Sequence, residues 1–365
     1  MRSAVVNNTS GLRDPFTACP GYTLVVRSQV AKPYISVLMA VYNDAPYLRE
    51  AIKSILRQDA PPFEFVIVDD AGTDGSSEIL QSYKDARITL IRNHGNKGLA
   101  ASLNLGLSYC RAPFIARQDG DDISENERLR VQIDYLLTHS EIAYTGSGVI
   151  LIDDAGKAGT SRLYPEAHDE IARCFASGTN PLPHSTLFFR REALEEIGGY
   201  DERFRKAEDH DLHLRLIRRH RAASVQRLLV RIRTRPHSMQ WSDSNGDCLK
   251  HVLYAHAKNY AELKFGGLNA SEEGAVFHEI ARWVDSTGLS CLWAASLERG
   301  RVRELVAKEA YLKAIHLSAH AVLLDPRWLL TRLRGKDYPL LTKRRLSTLH
   351  TKVKMVVGGF RSSLT

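Results

Sequence analysis

The chain has 365 residues, with 50 lysines and arginines against 42 acidic residues and a formal net charge of +8. The whole excess lies in residues 322–365, which carry ten basic and two acidic residues, whereas the other 321 residues hold 40 of each sign. A nucleic-acid-binding protein carries its basic face on the folded domain, so this distribution excludes a globally basic binder of nucleic acid.

Alternating strand and helix patterns begin after Pro33. Residues 34–41 form a short apolar run rich in β-branched side chains, which is typical of a buried strand. Residues 46–56 repeat apolar side chains at helical spacing, with a proline at the position where a helix start tolerates one. Further strands are predicted at 63–68, 88–91 and 113–117, and a further helix at 99–110. Such repeated units predict an α/β fold with a mostly parallel, Rossmann-like sheet flanked by helices.

The second half of the chain is predicted to be mixed and then helical. The patterns predict helices at 125–138 and 191–197 and strands at 142–152 and 185–189. From residue 244 to about residue 321 the pattern is helical. We therefore expect an irregular leader at 1–32, an α/β domain at 33–243, a helical region at 244–321 and a basic amphipathic tail at 322–365.

Three groups of carboxylates follow elements that end at one edge of the predicted sheet. Asp69-Asp70 ends the second strand, residues 119–122 (Asp-Gly-Asp-Asp) end the fourth, and residues 208–211 (Glu-Asp-His-Asp) open a later helix. Ligands bind outside the carboxyl ends of the strands in sheets of this kind. A solvated turn or a helix cap is the ordinary interpretation of Asp69-Asp70 taken alone.

The group at residues 119–122 favours a ligand. Three carboxylates within four residues repel each other unless a cation holds them together. Hard divalent cations take oxygen ligands and are commonly bound by one or two carboxylates together with phosphate groups of the substrate. The pattern therefore predicts a metal and phosphate site at this edge of the sheet.

Six motifs, in their order and spacing, closely resemble those of glycosyltransferase family 2. They lie at residues 33–43, 65–76, 96–98, 119–122, 198–212 and 235–242. The resemblance covers residues 33–243 and implies a GT-A fold for this catalytic domain. It also implies inverting transfer of a sugar from a nucleotide-diphosphate sugar, with a UDP-sugar favoured, to a hydroxyl group of a glycan or lipid-linked acceptor.

The resemblance assigns five residues to the nucleotide of the donor. Tyr42 is expected to stack on the nucleobase, with Ala40 and Asn43 lining the same pocket. Asp70 is suited to accept a hydrogen bond from a base N–H group. Lys97 is expected to meet the ribose or a phosphate.

The resemblance assigns the next group to the diphosphate and its cation. Asp119, Gly120 and Asp121 match the DXD motif of the family. Mn²⁺ or Mg²⁺ is the expected cofactor, with Asp121 and Asp122 as its ligands and His237 as a further candidate. A bound cation stabilises the charge that grows on the departing nucleotide diphosphate.

Inversion in a single displacement needs a base that takes the proton of the attacking hydroxyl. Asp209 occupies the position of that base in the family, although a cap of the following helix is the alternative role. His184, Glu208 and Trp241 are candidates for the acceptor side.

Two differences from the processive polysaccharide synthases of related sequence favour a non-processive reaction. No stretch approaches the ~20 apolar residues of a spanning helix. Gln240-Trp241 lacks the Gln-x-x-Arg-Trp spacing of the processive synthases, so we expect addition of one sugar per acceptor. A sugar nucleotidyltransferase and a non-catalytic nucleotide-sugar-binding protein are the alternative functions.

The cysteines and the tail bear on where the protein works. Five widely spaced cysteines without a CxxC pair, and no export signal, predict a cytoplasmic protein with reduced thiols. The tail at residues 322–365 interleaves basic residues with Trp, Leu and Phe, which is typical of helices that lie on anionic lipid. Peripheral contact with the inner face of the cell membrane is one expectation, and a solvated end or helices that cover the domain is the other.

Overall fold

The computed structural model describes residues 21–176, 180–234 and 247–265, with six further positions between 273 and 281. The described residues form one ten-stranded sheet with helices on both faces. The strands are β1 (Tyr22–Val26), β2 (Ile35–Val41), β3 (Phe63–Asp69), β4 (Ile88–Asn93), β5 (Phe114–Arg117), β6 (Ile123–Ser124), β7 (Ile142–Ile152), β8 (Ala158–Arg162), β9 (Phe188–Arg190) and β10 (Arg221–Arg233). The helices are α1 (Ala45–Leu56), α2 (Ser76–Ser82), α3 (Leu99–Tyr109), α4 (Arg128–Thr138), α5 (His168–Ala176), α6 (Arg191–Glu196), α7 (Glu208–Ile217) and α8 (Asp247–Phe265).

The first half of the chain builds the parallel part of the sheet. The strand order is β1-β4-β3-β2-β5-β9-β7-β10-β6, with β8 paired to β7, and β4, β3, β2 and β5 run parallel. Every residue of β2 and of β3 is buried, as expected for strands that are covered on both faces. The α/β fold with flanking helices that the sequence predicts is confirmed, and antiparallel strands extend the parallel core on both sides.

Two faces of the sheet carry two hydrophobic cores. Along β2, Val37 and Met39 pack in one core, and Leu38 and Ala40 pack in the other, because successive side chains point to opposite faces. Helices α1, α2 and α4 contribute to the first core, and α3, α5, α6, α7 and α8 contribute to the second. Helix α8 belongs to the predicted C-terminal helical region, so that region begins as part of the same core as the sheet.

Residues 22–26, which we expected within an irregular leader, form the edge strand β1. This strand pairs antiparallel with β4, and Tyr22 lies opposite Asn93. The apolar run is short and three of its five side chains are exposed, so its strand character depends on backbone hydrogen bonds to a segment about 70 residues away.

The strand that the sequence predicts at 185–189 begins three residues later in the structure. Residues His184–Thr186 form a 3₁₀ turn, and β9 begins only at Phe188. The amide of Thr186 donates to the carbonyl of Pro183 at 2.8 Å, which closes this turn after the proline-rich segment. Strand β9 then runs antiparallel to β5 and to β7. This pairing places the segment at residues 180–187 beside the carboxyl end of β5.

Candidate active site

The turn at residues 119–122 is built on a buried glutamine. Gln118 follows β5, and its Nε2 donates to the carbonyl oxygens of Asp119 at 3.1 Å and Asp122 at 2.8 Å. Its Oε1 accepts hydrogen bonds from Ser124 and from the buried guanidinium of Arg128, at 2.7 and 3.0 Å. Because both ends of the turn are bonded to one side chain, the turn has a fixed shape.

The acidic side chains of this turn have different partners. Asp119 accepts from the guanidinium of the buried Arg117, and its other oxygen accepts from the hydroxyl of Ser185. Asp122 accepts from the backbone amide of Arg233 at 2.9 Å, and its other oxygen shares the single hydroxyl hydrogen of Ser185 with Asp119. Burial acts to raise the pKa of Asp119, but the charge of Arg117, the nearby His184 and the hydrogen bonds from Ser185 and Arg117 together outweigh it, so the pKa of Asp119 is lowered. Burial and the charges of its two neighbours in the turn raise the pKa of Asp122.

The glycine of this turn allows a close approach by α1. A Cβ atom at Gly120 would lie 2.6 Å from Oδ2 of Asp44, the residue that precedes α1. No larger residue fits there without displacing that carboxylate. The side chain of Asp44 therefore joins the acidic turn at the edge of the sheet.

A divalent cation fits this turn if phosphate supplies part of its shell. Among the described residues no three His, Cys, Asp or Glu side chains converge into a protein-only metal cage. Mg²⁺ and Mn²⁺ sites often need only one or two carboxylates with substrate phosphates. Both oxygens of Asp122 accept protein hydrogen bonds, and Asp121 and Asp122 stay the predicted ligands of the cation. His237 and Trp241 lie outside the described residues, so their roles stay predictions.

The predicted nucleobase pocket lies where the loop after β2 meets the loop after β3. Tyr42 is 47% exposed, as a ring that stacks on a base must be, whereas Ala40 is buried in the core. Asn43 has a left-handed backbone (φ 58°), and its Oδ1 accepts from the amide of Thr73 at 2.8 Å. A Cβ at Gly72 would lie 2.8 Å from that same oxygen, so glycine is required for the two loops to meet.

The structure gives Asp70 a different principal task from the one we expected. Its carboxylate accepts from the Asn93 side chain at 2.7 Å and from the amides of Lys97 and Gly98 at 2.8 and 3.0 Å. Asp70 therefore holds the loop after β4 in place, and the side chain of Lys97 is exposed on that loop. A bond from a base N–H remains a prediction that uses a remaining lone pair of Asp70.

Helix α7 presents its first-turn carboxylates to the same edge of the sheet. Glu208 is buried, and Asp209 accepts hydrogen bonds from its neighbour's amide and from the side chain of Asn180, both at 2.8 Å. Asn180 was not predicted from the sequence. Its role depends on a loop that folds back to α7 across 29 positions, and no local motif marks it.

One loop joins the base candidate to the acidic turn. Asn180, at the start of the segment 180–186, donates to Asp209, and Ser185, near its end, donates to Asp119 and Asp122. The segment is held beside β5 because the amide of Arg117 donates to the carbonyl of Leu187 at 2.9 Å. The structure therefore brings the carboxylates of two distant motifs into one site.

The pKa values of the titratable groups in the site are shifted in different directions. Burial raises the pKa of Asp209, although the hydrogen bonds that it accepts oppose this. Burial and the adjacent Asp209 charge raise the pKa of Glu208 to about 8, so this acid is largely protonated at neutral pH. Burial and the Arg117 charge lower the pKa of His184 to about 3, and its Nε2 lies 2.7 Å from the hydroxyl of Tyr200. His184 is therefore a neutral polar group near the acidic turn.

Comparison with known proteins places the chain in a family. The model of the family described as "Glycosyl transferase family 2" matches residues 36–198. EpsE of Bacillus subtilis (strain 168) is 39% identical over 207 residues, which are 55% of this chain and 73% of EpsE. The chain belongs to glycosyltransferase family 2. It is therefore a glycosyltransferase. Family membership favours this function over the two alternatives, a sugar nucleotidyltransferase and a non-catalytic nucleotide-sugar-binding protein.

Two other similar glycosyltransferases match over comparable lengths. The amylovoran biosynthesis glycosyltransferase AmsE of Erwinia amylovora is 31% identical over 203 residues, or 54% of this chain and 75% of AmsE. The O-antigen biosynthesis glycosyltransferase WbnJ of Escherichia coli is 32% identical over 188 residues, or 50% of this chain and 71% of WbnJ.

Solved structures share the fold at low sequence identity. Residues 1–349 of TarS from S. aureus match with a TM-score of 0.50 and 17% identity, over 79% of this chain and 91% of that one. The mannosyltransferase PcManGT of Pyrobaculum calidifontis, in complex with GDP-Man and Mn²⁺, matches with a TM-score of 0.50 and 18% identity, over 86% of this chain and 90% of that one. The expected GT-A fold is confirmed. Within the part of this family 2 chain that the structure describes, no helix has the length and apolarity needed to cross a membrane.

The residue before α7 has a backbone that suits glycine. Ala207 has a φ of 57° and a ψ of 27°, a left-handed conformation that costs a residue with a Cβ atom about 1–2 kcal/mol. We expect Ala207→Gly to raise the free energy of unfolding by about 1 kcal/mol, measured by urea denaturation. Ala101→Gly, inside α3, is the matched control and should lower it by about the same amount. Equal losses for both variants would contradict the left-handed assignment.

Asn180 should set the pH dependence of transfer. If Asp209 is the base, as the resemblance implies, it must be deprotonated, so the rate of transfer falls as the pH drops through its pKa. The Asn180 hydrogen bond lowers that pKa, and we expect Asn180→Ala to move the acidic limb of the pH–rate profile to higher pH. Gln226→Ala is the control, because the Gln226 amide donates to the carbonyl oxygens of Tyr164 and Ser224. An acidic limb that stays at the wild-type pH would show that Asn180 does not act on the base.

Proposed function

We propose that this glycosyltransferase moves one sugar from a nucleoside-diphosphate sugar to a hydroxyl group of a glycan or lipid-linked acceptor, with inversion at the anomeric carbon. The observation that carries the proposal is the loop at 180–186, which bonds Asp209 at one end and the 119–122 turn at the other. A base and a diphosphate site on two sides of one reacting carbon are what single-displacement transfer requires.

The donor would lie along the loops that follow β2, β3, β4 and β5. Tyr42 is exposed for stacking on the base, and Lys97 is exposed on the loop that Asp70 fixes, within reach of a ribose or phosphate. Asp121 would hold Mn²⁺ or Mg²⁺ together with the diphosphate. When bound, the cation offsets the charge that develops on the leaving group. The Mn²⁺ and GDP-Man in the PcManGT structure, and the UDP-GlcNAc in a TarS structure with a TM-score of 0.50, support a nucleotide-sugar donor.

The chain's own residues would move one proton in the reaction. The acceptor oxygen forms a bond to the anomeric carbon while the bond from that carbon to the diphosphate oxygen breaks. Asp209 takes the hydroxyl proton, and burial suits it to that task because it raises the pKa of the carboxylate. Arg117 lies beneath the site, where its charge stabilises the ionised form of Asp119. The nucleoside diphosphate departs on the opposite side.

The acceptor class is supported by the relatives. AmsE and WbnJ are named for the biosynthesis of amylovoran and of O-antigen, both made by bacteria, and we infer that this enzyme acts in the synthesis of a cell-surface polysaccharide or lipopolysaccharide. His184 and Glu208 would face that acceptor. The tail at 322–365 lies outside the described residues, so cytoplasmic location with contact to an anionic membrane surface stays a prediction.

Donor hydrolysis tests this function without knowledge of the acceptor. The purified full chain is incubated with UDP-, GDP- and dTDP-sugars, each with Mn²⁺, with Mg²⁺ or with a chelator, and the released nucleoside diphosphate is measured. We expect slow release from one class of donor that depends on the divalent cation. If no donor is hydrolysed and no nucleotide raises the melting temperature, the proposed donor site is wrong.

A further inference from the structure

A buried lysine of α8 lies between two acidic residues of the acceptor-side motif. Lys258 is 5% exposed, and its Nζ lies 2.6 Å from Oδ2 of Asp201 and 3.3 Å from Oδ1 of Asp211. Asp211 is fully buried. A buried ammonium group is stable only when it is paired and hydrogen-bonded, so this lysine fixes where α8 sits against α7.

The ion network extends to the turn that precedes α7. Asp211 also accepts a hydrogen bond from Nε of Arg215 at 2.7 Å, and the Nη2 charge of Arg215 lies 2.7 Å from the same oxygen. The Nη1 of Arg215 donates to the carbonyl oxygens of Ile197 at 2.9 Å and Gly199 at 2.7 Å. One connected set of charges therefore joins α8, α7 and the Gly-Gly turn at residues 198–199.

Side chains of helix α8 contact both residues that follow Asp209 in the sequence, His210 and Asp211. Asp211 is bound by Lys258, and Nε2 of His210 lies 2.9 Å from Nε2 of His256. Both residues belong to the same first turn of α7 as Asp209, and this turn begins after the left-handed Ala207. A strained helix start keeps its conformation only where the surrounding structure fixes it. The contacts from α8 supply that restraint.

We propose that Lys258 is a positioning residue for sugar transfer, because it fixes the first turn of α7 so that the Asp209 carboxylate meets the acceptor hydroxyl. The proposal rests on the proposed role of Asp209 as base. It makes α8, which begins beyond the residues matched by the family model and beyond the predicted catalytic domain, part of the catalytic unit.

Lys258→Met is the informative variant. It removes the charge but keeps an unbranched side chain of similar length beside the Phe204 ring, where Nζ now lies 5.5 Å from the ring centroid. Each acidic partner retains an arginine, since Asp211 pairs with Arg215 and Asp201 pairs with Arg203. Lys258→Arg keeps the charge and should restore the positioning. Lys53→Met, at an exposed position of α1, is the matched control.

The test compares sugar transfer with nucleotide binding in the full chain, at a temperature well below the melting point of each variant. We expect Lys258→Met to lower kcat for transfer about 10- to 100-fold, with the KM for the donor and the affinity for the nucleotide within about twofold of wild type. Lys258→Arg should recover most of the loss, and Lys53→Met should match wild type. His256→Leu, which removes the second contact from α8, should show the same selective loss and decides the matter if Lys258→Met does not fold.

Asp209→Asn, assayed beside these variants, separates two kinds of failure. If Asp209→Asn still transfers sugar, the proposed base is wrong. If Asp209→Asn is inactive but Lys258→Met and His256→Leu keep wild-type kcat and lose only melting temperature, the contacts from α8 are merely structural and the positioning role is overturned.

Discussion

Replacing Asp209 by asparagine is expected to lower the rate of sugar transfer by about 10²- to 10⁴-fold, the range that general base catalysis contributes. The amide cannot take up the acceptor proton. It has a single acceptor oxygen, so it keeps only one of the two hydrogen bonds that the carboxylate accepts from the Asn180 side chain and from the His210 backbone amide. Nucleotide affinity should stay near wild type, because the donor contacts come from other loops. Steady-state kinetics with donor and acceptor varied separately give both quantities.

Two comparisons make the Asp209 result specific. Asp134→Asn, at an exposed position of α4, should leave the kinetics unchanged. Glu208→Gln should cost less than Asp209→Asn, since Glu208 has a pKa of about 8 and glutamine resembles a protonated acid more closely than a carboxylate. A larger loss for Glu208→Gln than for Asp209→Asn would mean that Glu208, and not Asp209, acts as the base.

Replacing Asp121 by asparagine should remove the link between divalent cation and nucleotide. Loss of even an outer partner of a metal ligand commonly costs 10- to 100-fold in metal affinity, so we expect nucleotide binding in the presence of Mn²⁺ to weaken by at least about that factor. Binding without the cation should change little, since stacking on Tyr42 and contact with Lys97 are unaffected. Calorimetric titration of each variant with and without Mn²⁺ measures the difference.

Asp122→Asn is the matched control for Asp121→Asn. Its carboxylate oxygens accept from the Arg233 amide and from Ser185, so we expect its loss to affect stability more than the cation. If Asp122→Asn instead abolishes the effect of Mn²⁺ and Asp121→Asn does not, the cation is held by the buried carboxylate and our assignment is reversed.

The sequence predicts the parallel half of the sheet well and the rest less completely. Strands β2 and β3 are buried on both faces, so they read as unbroken apolar runs. Strand β10 gives no such run. Its thirteen residues include Arg221, Arg227, Arg231 and Arg233, and its main partner is β7, from which it is separated by about 70 residues of chain. A strand whose stability comes from distant pairing leaves a weak local signal.

In the candidate site, too, the sequence predicts the residues of local motifs but not those that depend on tertiary contacts. Asp119, Asp121 and Asp209 stand in local motifs that the sequence reveals. Asn180 and Ser185 become significant only because a loop folds between two motifs, and the sequence analysis did not single them out. The docking of α8 on α7 depends on Lys258, a single lysine in an otherwise ordinary helix. Tertiary contacts of this kind have no periodicity that a sequence could display.

Titration of the full chain with UDP, GDP and dTDP, each with and without Mn²⁺, tests most directly whether the acidic turn at 119–122 is a donor site. We predict that one of these nucleotides binds once per chain and that Mn²⁺ tightens its binding. No binding in any of the six titrations, or binding that Mn²⁺ leaves unchanged, would contradict a cation-linked donor site in this enzyme.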